Sequence, residues 1–243
     1  MHGITANAHV FEPLMALLEH RLHLVSVDQR GHGRSHKPAS GYRGADYAHD
    51  IEDMIPEKAL LIGHSLGARN ALVAATLFPQ KLHGVVAIDF TPYIEEEVFD
   101  ALDTRVAGGD RIFSSAEEIK HYLRDRYPRL PADAVERRAR HGYAHKGNEW
   151  RALALPAAMQ ETSTRLREDL ESVLKAVKVP ALLVRGRESK LVSREAWEKT
   201  KALRPDLPAV EIDDADHYVH EEQPAAVAHA VLEFWDKVER RKQ

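Results

Sequence analysis

Short apolar runs alternate along the chain with longer amphipathic stretches. Runs at residues 22–27 (LHLVSV), 59–62 (ALLI), 84–88 (GVVAI) and 179–185 (VPALLVR) read as buried strands. They are continuous rather than alternating, the pattern of strands covered on both faces. A shorter strand is expected at 209–212. Helical segments fall at 13–19, 46–54, 68–77, 194–203 and 225–238. Strand alternating with helix implies right-handed β-α-β crossovers and a mostly parallel sheet flanked by helices. Val227, Val231, Phe234 and Trp235 recur at helical spacing in the last helix and read as core packing.

Between 91 and 178 the pattern changes. No strand-like run occurs there. Polar amphipathic helices are expected at 95–102, 116–127, 132–141 and 166–177, broken by Pro128, Pro131 and Pro156. The division that follows is an α/β core of residues 1–90 and 179–243 with an inserted helical lid at 91–178.

Composition narrows the function classes. The chain has 243 residues, 44% hydrophobic, enough for one large core with an insertion. Its net charge of −4 mixes both signs throughout, so neither nucleic acid nor an anionic membrane is an expected partner. There is no cysteine, hence no thiolate chemistry and no thiolate metal site. No signal peptide and no bilayer-length apolar run is found, and a reducing, cytoplasmic setting is expected.

The chemistry centres on Gly63-His64-Ser65-Leu66-Gly67, a G-x-S-x-G pentapeptide between the apolar run 59–62 and the helix-forming stretch from Ala68. Strand, sharp turn, helix is the context in which this motif presents an exposed serine hydroxyl. The helix that follows aims its first N–H groups at the same point, where they favour developing negative charge. The plainer alternative is a strand-to-helix turn with Ser65 as an N-cap. A serine hydroxyl needs a base, and the base needs an orienting acid. The histidines of the C-terminal region are His217, His220 and His229. His217 stands in a polar loop after the last strand and is the expected base. His217 and His220 have the spacing of a metal pair, but no third ligand is apparent, so no metal and no cofactor is expected.

With these pieces the chain resembles the α/β-hydrolase family, in its lidded serine-esterase branch. The resemblance rests on His2-Gly3-Ile4-Thr5, on residues 28–35 (DQRGHGRS), on Gly63–Gly67 and on residues 216–222 (DHYVHEE), and it spans nearly the whole chain. It implies the order nucleophile, acid, histidine: Ser65, Asp89 and His217. It also implies that the backbone N–H groups of Ile4 and Leu66 bind the oxyanion. The 28–35 segment is expected to be a structural turn, with no catalytic part for Asp28 or Arg30 and with His32 packed beside the site. For the acid, Asp89 ends the strand after the nucleophile helix, where one branch of the family carries it. Glu188 is the nearest carboxylate at the later position, where other relatives carry an Asp and this chain has Ser189. Asp89 could instead be a hinge residue capping the turn at Thr91-Pro92.

The function expected is hydrolysis of a small-molecule carboxylic ester or related carbonyl compound through an acyl-enzyme. C–C bond hydrolysis or elimination on the same triad is an alternative, as is a low-turnover ligand-binding protein. A carboxylate nucleophile, as in haloalkane dehalogenases, is excluded by Ser65. Finally, the family places the His-Gly segment at the end of an internal third strand, here expected between 22–27 and 59–62. Only Met1 precedes His2, so the N-terminal strands are expected to be missing from a truncated chain.

Overall fold

In the computed structural model, which describes residues 1–240, seven strands and eleven α-helices are numbered in chain order. Four strands form a central parallel sheet in the order β1 (Ala59–His64), β2 (Leu82–Ile88), β6 (Ala181–Gly186), β7 (Ala209–Ile212). The register sets Gly63 beside Ala87 and Ile88 beside Val184.

Both faces of the sheet are covered. On one side lie α1 (Glu12–Leu18) and α11 (Pro224–Arg240), packed on Val86, Ile88, Leu182 and Val184. On the other lie α2 (Gly44–Met54), α3 (Leu66–Leu77) and α9 (Arg194–Leu203), packed on Val85, Ala87 and Leu183. Successive residues of β2 therefore point into two different cores, which is why its sequence is apolar without alternation. Burying a valine or isoleucine fully contributes roughly 1.5–3 kcal/mol, so Val85, Val86 and Ile88 together anchor the strand that carries Asp89 at its end.

Two expectations are corrected. Residues 22–27 form no strand. Leu22 and Leu24 pack toward α1 and α11, but Val25 is 76% exposed and no ladder joins the segment to a neighbour. Apolar, β-branched sequence makes a strand only where a second backbone lies alongside. The outer edge of β1 instead meets Met1, whose amino group donates to Ile62 O at 2.6 Å and whose carbonyl accepts from His64 N–H at 3.0 Å.

The stretch from 91 to 178 is the second correction. It contains α4 (Glu96–Ala107), α5 (Ala116–Arg126), α6 (Ala132–Gly142), α7 (Pro156–Arg165) and α8 (Leu170–Ala176), but also a three-stranded antiparallel sheet. Its strands are β3 (Ile112–Phe113), β4 (Tyr143–Lys146) and β5 (Glu149–Ala152), in the order β3-β5-β4. They are two to four residues long and mostly exposed, so no apolar run marks them. The β4–β5 hairpin closes through Gly147-Asn148, with Gly147 at φ 64°. No helix among the described residues is long and apolar enough to cross a membrane.

Candidate active site

Ser65 lies at the junction of β1 and α3 with φ 52° and ψ −115°. A non-glycine residue there is strained, at a cost on the order of 1–3 kcal/mol. Its surroundings hold it: Ser65 N–H donates to Ile88 O at 2.9 Å. The two motif glycines permit the crossing. A Cβ on Gly63 would lie 2.2 Å from Gly67 O, and one on Gly67 would lie 2.2 Å from Met1 O. Gly3 passes so close that a Cβ there would lie 3.0 Å from His64 Nδ1 and 3.4 Å from Ser65 Cβ. Ile4 follows on that close pass, and Leu66 opens α3, whose first N–H groups have no partner within the helix. Ile4, Ser65 and Leu66 line one pocket together with Asp89 and His217.

Asp89 is wholly buried at φ 49°, directly after β2. Its Oδ2 accepts from Ser189 Oγ at 2.6 Å and lies 2.7 Å from His217 Nδ1, while Oδ1 accepts from Gly186 N–H at 3.0 Å. A buried carboxylate needs its lone pairs engaged, and these contacts engage them. Ser189 Oγ in turn accepts from Val192 N–H at 3.0 Å, which fixes the loop after β6. With Nδ1 on Asp89, Nε2 is the ring nitrogen of His217 left for another partner, and His217 and Ser65 line the same pocket. His217 O accepts from His64 Nε2 at 2.8 Å, and its N–H donates to Asp216 Oδ1 at 2.8 Å.

Ser65, Asp89, His217, Ile4 and Leu66 are thus brought together. Glu188 is not among them. It is exposed, its carboxylate pairs with Arg129 Nη1 at 2.5 Å, and its N–H donates to Ala215 O. Residues 28–35 form a tied turn: Asp28 accepts from the N–H groups of Ala8 and Arg34, and Arg30 pairs with Asp50. His32 packs edge-on against His2 with ring centroids 4.8 Å apart. His220 is buried against Phe11 and His64, and neither ring nitrogen has a hydrogen-bond partner. Burial, then the nearby Arg138, holds its pKa well below the usual 6.5.

The rest of the pocket lining carried no signal in the sequence. Val98, Phe99, Leu102, Leu166 and Leu170 contribute apolar surface to it, and Arg105, Arg126, Tyr127 and Tyr218 line it as well. Arg126 Nε donates to Tyr127 Oη at 3.0 Å and its Nη2 to Arg105 O at 2.8 Å. Among the described residues, no carboxylate lies within ion-pairing distance of Arg105 or Arg126. Arg138, by contrast, pairs with buried Glu221 and lies over Tyr218 at 4.6 Å and Tyr127 at 5.1 Å. Burial alone would raise the Tyr127 phenol, but Arg126 and Arg138 outweigh it and bring its pKa down to about 8. The pocket that holds Ser65 therefore also holds two guanidinium groups without a carboxylate partner.

The Alpha/beta hydrolase family model matches residues 1–230. The 2-(acetamidomethylene)succinate hydrolase of Mesorhizobium japonicum is 49% identical over 239 residues, covering 97% of this chain and 86% of that protein. A crystal structure of E-2-(acetamidomethylene)succinate hydrolase matches with a TM-score of 0.95 at 49% identity, over 97% of this chain and 89% of the other. The esterase YbfF of Escherichia coli is 26% identical over 249 residues, 96% of this chain and 91% of its own length.

Proposed function

The chain belongs to the α/β hydrolase family, and from that premise we propose that it hydrolyses an N-acylated enamine bearing two carboxylates, of the 2-(acetamidomethylene)succinate class. The observation that carries this reading is the pair Arg105 and Arg126, two guanidinium groups without carboxylate partners in the pocket that holds Ser65. Both are half-buried, and a neutral ester would leave them without a counter-charge. A dianionic substrate would pair with them, and Arg forks suit carboxylates. Tyr127 and Tyr218 line the same pocket, and Arg126 Nε donates to Tyr127 Oη.

In this reading Ser65 Oγ attacks the acyl carbonyl while His217 Nε2 takes its proton. Asp89 holds the imidazole in the right tautomer and stabilises the imidazolium. The N–H groups of Ile4 and Leu66 hold the developing oxyanion, a contribution of about 10²–10³ in kcat per donor. Collapse breaks the C–N bond, and His217 returns the proton to the departing nitrogen. A guanidinium on the conjugated carboxylate draws electron density from that nitrogen and eases its departure. Water, activated by His217, then attacks acyl-Ser65, and the carboxylic acid leaves with the serine restored.

Residues 91–178 act as the lid in this proposal, over a core of 1–90 and 179–243. They supply that apolar surface and both arginines, so substrate choice lives there. The test compares 2-(acetamidomethylene)succinate with p-nitrophenyl acetate. Arg126→Met should lower kcat/KM on the dicarboxylate by about 10² or more, consistent with loss of a charged hydrogen bond, and change the aryl acetate little. Turnover of the aryl acetate with none of the dicarboxylate would sink the reading.

A further inference from the structure

His9, Glu12 and His141 lie together on the surface, away from the pocket, and their nearest ligand-type atoms all fall within 4.8 Å of one another. His9 Nδ1 is 2.5 Å from Glu12 Oε1. The His9 and His141 rings stack with centroids 3.6 Å apart and 13° between planes. We propose that these three residues form a binding site for a divalent transition-metal ion, Zn²⁺ above all, which ties the turn at Ala8–Phe11 to helix α6.

The donor set is the first reason. Two imidazoles and one carboxylate suit a borderline ion such as Zn²⁺, and are too nitrogen-rich for Ca²⁺ or Mg²⁺. Zn–N and Zn–O bonds of about 2.0–2.2 Å put tetrahedral donors roughly 3.4 Å apart. The present spread needs only side-chain rotation to reach that. The second reason is the contrast with other surface pairs. His49–Glu52, His121–Asp125 and His229–Glu233 are simple pairs on single helices. None of them gains a second histidine, whereas His141 arrives at His9 from a remote helix. Third, the framework is fixed. Asn7 Oδ1 accepts from His9 N–H at 3.0 Å, Glu12 opens α1, and His141 sits in the last turn of α6. All three side chains reach solvent, so an ion can load without unfolding, and water can complete its coordination. On binding, the ion takes the place of the proton between His9 Nδ1 and Glu12 Oε1, and that proton passes to solvent.

The position gives the site a consequence. Arg138 lies one turn before His141 on α6, with its guanidinium over Tyr127 and Tyr218. An ion holding the end of α6 to the Ala8–Phe11 turn steadies the helix whose Arg138 backs Tyr127 and Tyr218 in the pocket lining.

The experiment is calorimetric titration of the full chain with Zn²⁺, paired with the visible spectrum of the Co²⁺-loaded protein and with thermal midpoints. Wild type should bind a single Zn²⁺, show a Co²⁺ ligand-field band, and melt higher with the ion. His9→Ala, His141→Ala and Glu12→Gln should each weaken Zn²⁺ at least about tenfold and diminish the band. His121→Ala, at an ordinary surface pair, should bind as wild type does. Glu12→Gln keeps the test informative if a histidine variant folds poorly. No heat and no band with wild type, or undiminished affinity in the three ligand variants, would overturn the site.

Discussion

Asp89 and Glu188 are both carboxylates on loops after parallel strands, yet they should differ sharply on substitution. Asp89→Asn presents an amide where His217 Nδ1 expects an acceptor, and so favours the wrong tautomer. It should cost about 10⁴ in kcat. Glu188→Gln loses an exposed ion pair with Arg129 and should leave kcat within about threefold. Ser65→Ala should cost on the order of 10⁶. Single-turnover and steady-state rates on an activated aryl acetate rank all three, and an Asp89 variant no worse than the Glu188 variant would reassign the acid. Ser65 was legible in the sequence because an elbow is local: strand, glycines and helix are contiguous. The carboxylate that meets His217 was only half legible. Its position depends on β2 lying beside β6, which brings Gly186 N–H and Ser189 Oγ to the Asp89 carboxylate. Ser189 standing where other relatives carry an Asp was the available hint. Arg105 and Arg126 carried no usable signal. Arg124 shares α5 with Arg126 but does not line the pocket, and only the packed orientation of the helix distinguishes them.

At the scale of elements, α6 is held to the core by a buried ion pair. Glu221, on the four-residue helix α10 (Val219–Glu222), accepts from Arg138 Nε at 3.0 Å and is also reached by Arg137 Nη2 at 3.3 Å. Both Glu221 and Arg138 are almost fully buried. Removing one partner of such a pair leaves the other charge uncompensated, at about 3–5 kcal/mol. Glu221→Gln should therefore lower the urea midpoint markedly. Glu171→Gln, which removes an exposed pair with Lys175, should not move it. Equal midpoints would mean that α6 is held by its apolar contacts alone. The elements that sequence reasoning missed share one physical cause. A strand is a relation between two backbones, and its sequence reports only the burial of its side chains. Residues 22–27 have apolar side chains but no partner backbone, so the pattern overstated them. Strands β3, β4 and β5 have partners but little burial, so the pattern was silent, with Gly147-Asn148 marking the turn between β4 and β5.

For the whole molecule, the buried histidines dictate how stability depends on pH. His2, His32, His64 and His220 are all essentially inaccessible to solvent. Burial, foremost, holds the pKa of each below the usual 6.5, with His32 brought down to about 4. Each ring is neutral in the folded protein and is exposed on unfolding, where it titrates near 6.5. The unfolded chain therefore binds more protons as pH falls, and linkage makes folding less favourable. The stability that these groups permit is fully present above about pH 6.5 and is lost progressively as pH drops toward the depressed values. For His32 alone, falling from 6.5 to about 4 amounts to roughly 3 kcal/mol lost once the lower pH is passed. That is a substantial part of the 5–15 kcal/mol of a typical domain, and the other three rings add to it. Carboxylates such as Asp206, held below the usual carboxylate range by its hydrogen bonds from Arg204, act in a lower window. The two contributions therefore separate along the pH axis. Urea unfolding at pH 7.5, 6.5, 5.5 and 4.5 should show a plateau followed by a steep decline that begins above the carboxylate range. His220→Leu removes a ring whose nitrogens make no hydrogen bonds, so it sacrifices no polar contact, and it should make the decline shallower. A stability that stays flat from pH 7.5 to 5, or an unchanged slope in His220→Leu, would show that these rings take up their protons without unfolding.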